Sequence, residues 1–158
     1  MDGEHHDIKG SVALVTGGNR GIGRAFARAL LEHGAAKVYA GVRDPAGVRD
    51  SDVVPLRLDV TDEESIRAAA AAAGDVTILI SNAGVGDSGT RLLEGTLVVG
   101  VHAGFVETEM AAWVDAPKIP PESVAEQTMD ALLAGRAEVL ADERSRNAKA
   151  ALSQPVGA

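Results

Sequence analysis

Residues 14–23 read LVTGGNRGIG and determine how the rest of the chain is interpreted. The apolar run 11–16 that enters this stretch is typical of a strand buried on both faces. The pattern over 22–31 predicts an amphipathic helix beginning where the glycines end. A glycine-rich turn at that junction lets backbone N–H groups approach a pyrophosphate at the positive end of the helix. The stretch therefore predicts a dinucleotide cradle, and a tight turn without a ligand is the alternative.

Length and composition indicate one globular domain. A chain of 158 residues is long enough for a single core and too short for two comfortable domains. Apolar residues make up 46% and aromatic residues only 3%, and much of the apolar fraction is Ala and Val, which favours helices packed closely on strands. We divide the chain into a polar leader, 1–9, and a single domain, 10–158.

Charge and missing residue types exclude several classes of protein. The formal net charge of −8 would repel a nucleic acid, so no such partner is expected. The absence of cysteine excludes disulfides and thiolate metal sites, and no metal site is predicted. No apolar run approaches the length of a membrane span, and the polar start does not resemble a signal peptide. We therefore expect a cytoplasmic protein without a membrane partner.

Strand and helix patterns alternate along the chain. Thr61 with Glu64 three residues later resembles a capping box at the start of the second helix. The predicted strands are 11–16, 37–43, 53–60, 76–84, 96–104 and 137–142, and the predicted helices are 22–31, 65–73, 122–135 and 143–153. This order predicts an α/β fold with a doubly wound, Rossmann-like parallel sheet.

The motifs TGGNRGIG (16–23) and SNAG (81–84) resemble those of the short-chain dehydrogenase/reductase family, whose pattern is TGxxxGxG followed by NAG. The segments LDVTD (58–62) and HAGFVETEM (102–110) are similar to further family segments, so the resemblance covers blocks 10–95 and 96–153. It implies adenine contacts from Asp59 and Val60, and a nicotinamide or phosphate contact from Thr108. The cofactor-binding residues expected are Thr16, Gly17, Asn19, Arg20, Gly21, Ile22, Gly23, Arg43, Asp59, Val60, Asn82, Ala83, Gly84 and Thr108.

The charge at the end of the second strand indicates which dinucleotide is bound. An acidic residue about 20 positions after the glycines would accept a ribose hydroxyl, whereas a basic residue there neutralises a 2′-phosphate. Arg43 stands at that position, and Arg20 in the cradle would close on the same phosphate. Asp44 is the competing ribose partner. We expect NADP(H) in preference to NAD(H).

The proton-transfer residues of the family have no counterpart in this chain. The family uses a Ser together with a YxxxK pair, but the only tyrosine is Tyr39, and Arg43 stands four residues after it. The resemblance jumps at the junction LLEG|TLVV (92–99), from the loop after the family's fourth strand to its sixth. We therefore interpret the chain as an internally shortened relative whose catalytic segment is absent.

The shortening has consequences for the sheet. With the family's fifth strand absent, a strand order 3-2-1-4-6-7 is geometrically feasible, because residues 82–96 suffice for a right-handed crossover. One face would lose two covering helices and expose apolar surface. We expect the chain either to form a homo-oligomer through this face, by an interface other than the family's usual one, or to be only marginally stable.

Three functions remain open at this stage. The first is an NADP(H)-binding protein with weak or no carbonyl or alcohol redox chemistry of the family type. The second is an active NADPH-dependent oxidoreductase acting on a small carbonyl with another proton donor, for which Asp87, Ser88 and His102 are weak candidates. The third is a protein–protein interaction module. Whether the chain is an enzyme is therefore left undecided.

Overall fold

The computed structural model describes residues 7–83 and 97–152. The strands are β1 (Val12–Thr16), β2 (Lys37–Val42), β3 (Val54–Arg57), β4 (Ile78–Ile80), β5 (Gly100–His102) and β6 (Glu138–Leu140). The helices are α1 (Gly21–Glu32), α2 (Glu63–Ala72), α3 (Pro121–Leu133) and α4 (Glu143–Leu152). Each lies within about two residues of a predicted helix or inside a predicted strand. Within the described ranges, no helix is long and apolar enough to cross a membrane.

The strands form two parallel sheets. The larger has the order β3-β2-β1-β4, and β5 pairs with β6 in the smaller. The predicted doubly wound α/β class is confirmed, as are the orders 3-2-1 then 4 and 6 then 7 in the family's strand numbering. The family's sixth strand, which is β5 here, was expected to pair with β4. In the part of the chain described, no backbone ladder joins β4 to β5, and β5 pairs with β6 alone.

Helix packing holds the two sheets together. Helix α3, which joins β5 to β6, packs along α1, which follows β1. Val101 and Val139 of the smaller sheet belong to the same apolar core as Ile78 and Ile80 of β4. One core therefore spans both sheets, although backbone hydrogen bonds do not.

The two faces of the larger sheet differ in their cover. Ala13 and Val15 point towards α1 and are fully buried, together with Leu30 on the apolar stripe of that helix. The opposite face carries Leu14 and, in register beside it on β4, Leu79. Leu79 is 63% exposed. Among the described residues, the face beside β4 is thus the uncovered surface expected from the absent helices.

Two local features differ from the predictions. Helix α2 begins with Asp62 at the N-cap, whose carboxylate accepts from the Glu64 N–H (3.1 Å), so the predicted Thr61 cap is wrong. The Thr61 hydroxyl donates instead to Asp59 (2.7 Å). In the predicted polar leader, Ile8 is only 1% exposed and joins the core, so packing begins before residue 10.

Asp50 connects the loop after β2 to helix α1. Its carboxylate accepts two hydrogen bonds from Arg24, at 2.7 and 2.8 Å, and lies 3.5 Å from Arg28. The Arg24 hydrogen bonds lower the pKa of Asp50, although partial burial acts in the opposite direction. The contact fixes the loop that follows the second strand against the helix that follows the cradle.

We predict that Leu30→Ala and Leu79→Ala differ strongly in their effect on stability. Leu30 is fully buried, so its truncation removes packed atoms and leaves a cavity, which costs about 2–5 kcal/mol. Leu79 is largely exposed, and its truncation should cost less than about 1 kcal/mol. Urea unfolding of both variants measures the difference. Equal costs would show that another surface covers Leu79.

We predict that Asp50→Asn lowers the melting temperature at pH 7 by roughly 2–6 °C, because the charged acceptor of Arg24 is lost. A carboxylate whose pKa is lowered on folding contributes stability above its unfolded pKa, and that contribution is lost as the pH falls through the folded pKa. The difference from the parent protein should therefore shrink below about pH 4. Asp52→Asn, two residues away, is the control and should change little. A difference that is constant from pH 7 to pH 3 would contradict the assignment.

Candidate functional site

The turn between β1 and α1 is shaped by its glycines. Gly17 and Gly21 have φ angles of +70° and +54°, in the left-handed region that glycine adopts without strain. Gly23 is required for a different reason, since a Cβ there would lie 2.2 Å from the Gly17 carbonyl oxygen. The first turn of α1 can therefore lie directly against the loop only because position 23 has no side chain.

The N-terminus of α1 is open to a ligand. A helix leaves its first N–H groups without partners inside the helix. Arg20 at the N-cap makes no side-chain cap bond, so those N–H groups are not satisfied by the residue that normally caps them. Together with the positive end of the helix dipole, they form a binding site for an anion. A pyrophosphate fits this donor set.

Hydrogen bonds join the loop to the end of β4. The Thr16 hydroxyl oxygen accepts from the N–H groups of Asn82 and Ala83, both at 2.9 Å. The Asn82 side-chain amide donates to the Thr16 carbonyl at 3.1 Å. A Cβ on Gly23 would lie 2.7 Å from that same amide nitrogen. Asn82 therefore lies beneath the glycine loop and supports it.

The segment after β5 reaches the cradle from the other side. A Cβ on Gly21 would lie 3.4 Å from the Thr108 methyl group. Arg20 lies 3.5 Å from a Glu109 carboxylate oxygen in an exposed ion pair. The structure thus brings together the predicted residues of the first turn, the fourth strand end and Thr108. Their common position is the carboxyl end of the sheet, where ligands bind in α/β folds.

Two arginine residues lie at the carboxyl ends of β2 and β3. Arg43 is exposed, and its carbonyl accepts from the Arg57 guanidinium at 3.4 Å. Neither guanidinium lies within 4 Å of a carboxylate oxygen in the described residues. The Asp44 carboxylate accepts from the Ala46 N–H (3.1 Å) in the turn that follows. Asp44, the competing ribose partner in the sequence, is therefore occupied in holding its own turn.

Asp59 lies beside this cation pair. The Thr61 hydroxyl and N–H donate to its carboxylate and lower its pKa, and the charges of Arg43 and Arg57 lower it further. Val60, next along, is 37% exposed. Asp59 therefore lies near the end of β2. The Asn19 side chain reaches the same region, since it would be 3.5 Å from a Cβ on Gly47.

Arg57 is not among the cofactor-binding residues predicted from the sequence. One sequence feature does point to Arg57: the segment RLD at 57–59 places this basic residue two positions before the expected adenine contact. Its relevance depends on β3 pairing beside β2, where Arg57 stands opposite Val42. That neighbourhood follows from the strand order rather than from local sequence.

Of the three catalytic candidates, His102 alone lies in the described part of the chain. His102 at the end of β5 lies 3.6 Å from Glu138, and Asp87 and Ser88, like Gly84, lie outside the described residues. Tyr39 is buried, and its hydroxyl accepts from Lys37 (3.1 Å) and donates to Asp75 (3.2 Å) near the amino ends of the strands. The only tyrosine therefore contacts groups at the opposite end of the sheet from the cradle. Within the described part, no His, Asp and Glu side chains gather to hold a metal ion.

Comparisons with known proteins agree with this geometry. A family model described as short chain dehydrogenase matches residues 11–96. The chain is 36% identical over 93 residues to short chain dehydrogenase tazN of Aspergillus terreus, covering 50% of this chain and 20% of that protein. It is 34% identical over 127 residues to (+)-borneol dehydrogenase 1 of Salvia officinalis, covering 70% of this chain and 49% of that protein. The chain thus spans half or less of these curated relatives.

A solved structure is similar over almost the whole chain. It is a short chain dehydrogenase from Burkholderia cenocepacia J2315 in complex with NADP. The TM-score is 0.72 at 27% identity, with 94% of this chain and 100% of that chain covered. The similarity therefore extends through β5 and β6, beyond the residues that the family model matches.

We predict that Thr16→Val destabilises the protein by about 1–3 kcal/mol, because two partly buried N–H groups lose their acceptor while shape and strand propensity are retained. Thr16→Ser keeps the hydroxyl and is the matched control, with a smaller loss. Denaturant unfolding measures both. A valine variant as stable as the serine variant would show that the hydroxyl does not hold the β4 end in place.

Proposed function

The chain belongs to the short chain dehydrogenase family, and from that membership we propose that it binds NADP(H) and performs little or no redox chemistry by the family's route. The observation that carries the proposal is the close approach of α1 to the loop, where Gly23 leaves no room for a Cβ. This approach presents unpartnered N–H groups to a pyrophosphate. The NADP bound by the similar Burkholderia cenocepacia protein supports the class of ligand.

The preference for a phosphorylated dinucleotide rests on Arg43 and Arg57. These guanidinium groups lie at the strand ends where an adenosine ribose would be placed, and neither has a carboxylate partner among the residues described. Asp59 nearby offsets part of this charge, and two neighbouring guanidinium groups would still gain by binding an anion there. Asp44, the acidic residue that would favour NAD(H), has one carboxylate oxygen engaged in capping its own turn.

The roles of the remaining residues follow from their positions. When bound, the nicotinamide ring would supply or accept a hydride. Thr108, packed beside Gly21, would contact the nicotinamide end, while Asp59 and Val60 would bound the adenine. None of these side chains is an acid or base with a pKa tuned for proton transfer to a substrate.

Two alternatives stay open as outcomes of experiment. An active reductase would need a proton donor outside the family pattern, and losing a general acid typically lowers the rate by about 10²–10⁴. A protein–protein module, or a homo-oligomer formed by the same surface, is favoured by the exposed Leu79 on the uncovered sheet face. Turnover of NADPH with aldehydes and ketones would favour the first, and failure to bind either dinucleotide would favour the second.

We predict by calorimetry that NADPH binds at least about tenfold more tightly than NADH, since only NADPH carries the 2′-phosphate. Arg43→Gln and Arg57→Gln should each weaken NADPH about tenfold and change NADH less than twofold. Arg136→Gln, an exposed arginine just before β6, is the charge-matched control and should change neither. Equal losses for both dinucleotides would contradict the assigned phosphate contact.

The turnover assay is run on the same samples. The proposal predicts that the loss of NADPH absorbance with a panel of aldehydes and ketones does not exceed the rate without protein by more than a small factor. Efficient turnover would refute the second half of the proposal while leaving the binding claim intact.

A further inference from the structure

A second cavity lies away from the cradle, between the β5–β6 pair and α4. Its volume is about 530 Å³. Strand register places Gly100, His102, Glu138 and Leu140 on one face, because Val139 between the last two points into the core. Helix α4 supplies the opposite wall. The cavity therefore belongs to the smaller sheet and not to the glycine loop.

The cavity has an apolar floor and one self-neutralised end. Ala103, Leu140 and Ala148 supply the apolar surface. At one end, Glu138 is hydrogen-bonded by Lys149 and lies 3.6 Å from His102. Glu138 and Lys149 therefore offset each other's charge, so this end offers a ligand no unbalanced cation.

The other end carries a pre-positioned cation. The Arg144 guanidinium carbon lies 4.6 Å from the centre of the Phe105 ring. The stem of Arg144 lies across Gly104, where a Cβ would come within 2.9 Å of its Cδ. No carboxylate oxygen lies within 4 Å of this guanidinium in residues 7–83 and 97–152. Because stacking on Phe105 holds the Arg144 guanidinium in place, binding an anion would cost little further side-chain entropy.

The nearest acidic residue is engaged elsewhere. The Asp142 carboxylate accepts from the N–H groups of Gly104 and Ser145, both at 2.7 Å. Burial tends to raise the pKa of Asp142, but these N–H donors and the Ser145 hydroxyl outweigh it, and the pKa is lowered. Asp142 thus holds the turn that presents Arg144 and leaves the guanidinium free to take an external anion.

We propose that this cavity binds a small monocarboxylate with a short apolar body. The carboxylate would pair with Arg144, since a guanidinium matches its two oxygens, and the body would lie on Leu140 and its apolar neighbours. Because Glu138 offsets Lys149 at the other end, a second carboxylate on the ligand would find no partner there, and the site favours a monocarboxylate over a dicarboxylate. This site is separate from the proposed dinucleotide site and does not depend on it.

The test is a titration of the ¹⁵N-labelled full chain with hexanoate, followed by amide spectra. The amide signals of Gly104 and Ser145 should shift saturably, with a dissociation constant of about 1–10 mM for one charge-assisted contact on a small ligand. Adipate and hexan-1-ol should each bind at least about fivefold more weakly, because the second carboxylate of adipate is desolvated without a partner and hexan-1-ol lacks the charge. Equal affinity of hexanol and hexanoate would overturn the proposal.

Variants and competition locate the site. Arg144→Gln should weaken hexanoate about tenfold or more, and the spectra report whether the variant is folded. Arg136→Gln, of equal charge change, should bind as the parent does. Saturating NADPH should leave the hexanoate shifts in place. No shift in the parent protein, an unchanged affinity in Arg144→Gln, or displacement of hexanoate by NADPH would each overturn the proposal.

Discussion

The structure depends on the close approach of the first turn of α1 to the end of β1. Because Gly23 has no Cβ, the turn lies directly against the Gly17 carbonyl, with the Asn82 amide packed in the same gap. The hydrogen bonds of Thr16 then fix the end of β4 to the same point. A larger side chain at position 23 would move the helix and separate the N–H groups that face the ligand. The anion site and the central strand pairing therefore share one packing constraint.

The described parts of the cradle do not draw on the family segment that has no counterpart in this sequence. The cradle is built from β1, α1 and the end of β4, with Thr108 contributed from after β5, and all of these are present. Packing of α3 on α1 keeps the smaller sheet attached without a ladder to β4. The exposed Leu79 lies on the sheet face that the absent helices would cover. The proposed loss of the family's chemistry therefore leaves the proposed binding site in place.

The secondary structure and the glycine loop were predictable because short local stretches of sequence encode them. The glycine spacing and the apolar periods predicted the cradle, the strands and the helices, and the stripe containing Phe26 and Leu30 is buried as expected. The N-cap of α2 was misassigned because Thr61 and Asp62 both suit a cap, and the choice depends on Thr61 donating to Asp59. Arg57, the separate β5–β6 pair and the cavity beside Arg144 depend on contacts between segments far apart in sequence, which no local pattern records.

The central claim is that the amides at the start of α1 hold the pyrophosphate of a dinucleotide. Its most direct measurement is an amide-resolved NMR titration of the folded full chain with NADPH. The account predicts saturable shifts centred on residues 17–23, with smaller ones at Asn82, Ala83 and Thr108. Saturation without any change at residues 17–23, or no change anywhere at millimolar NADPH, would contradict it.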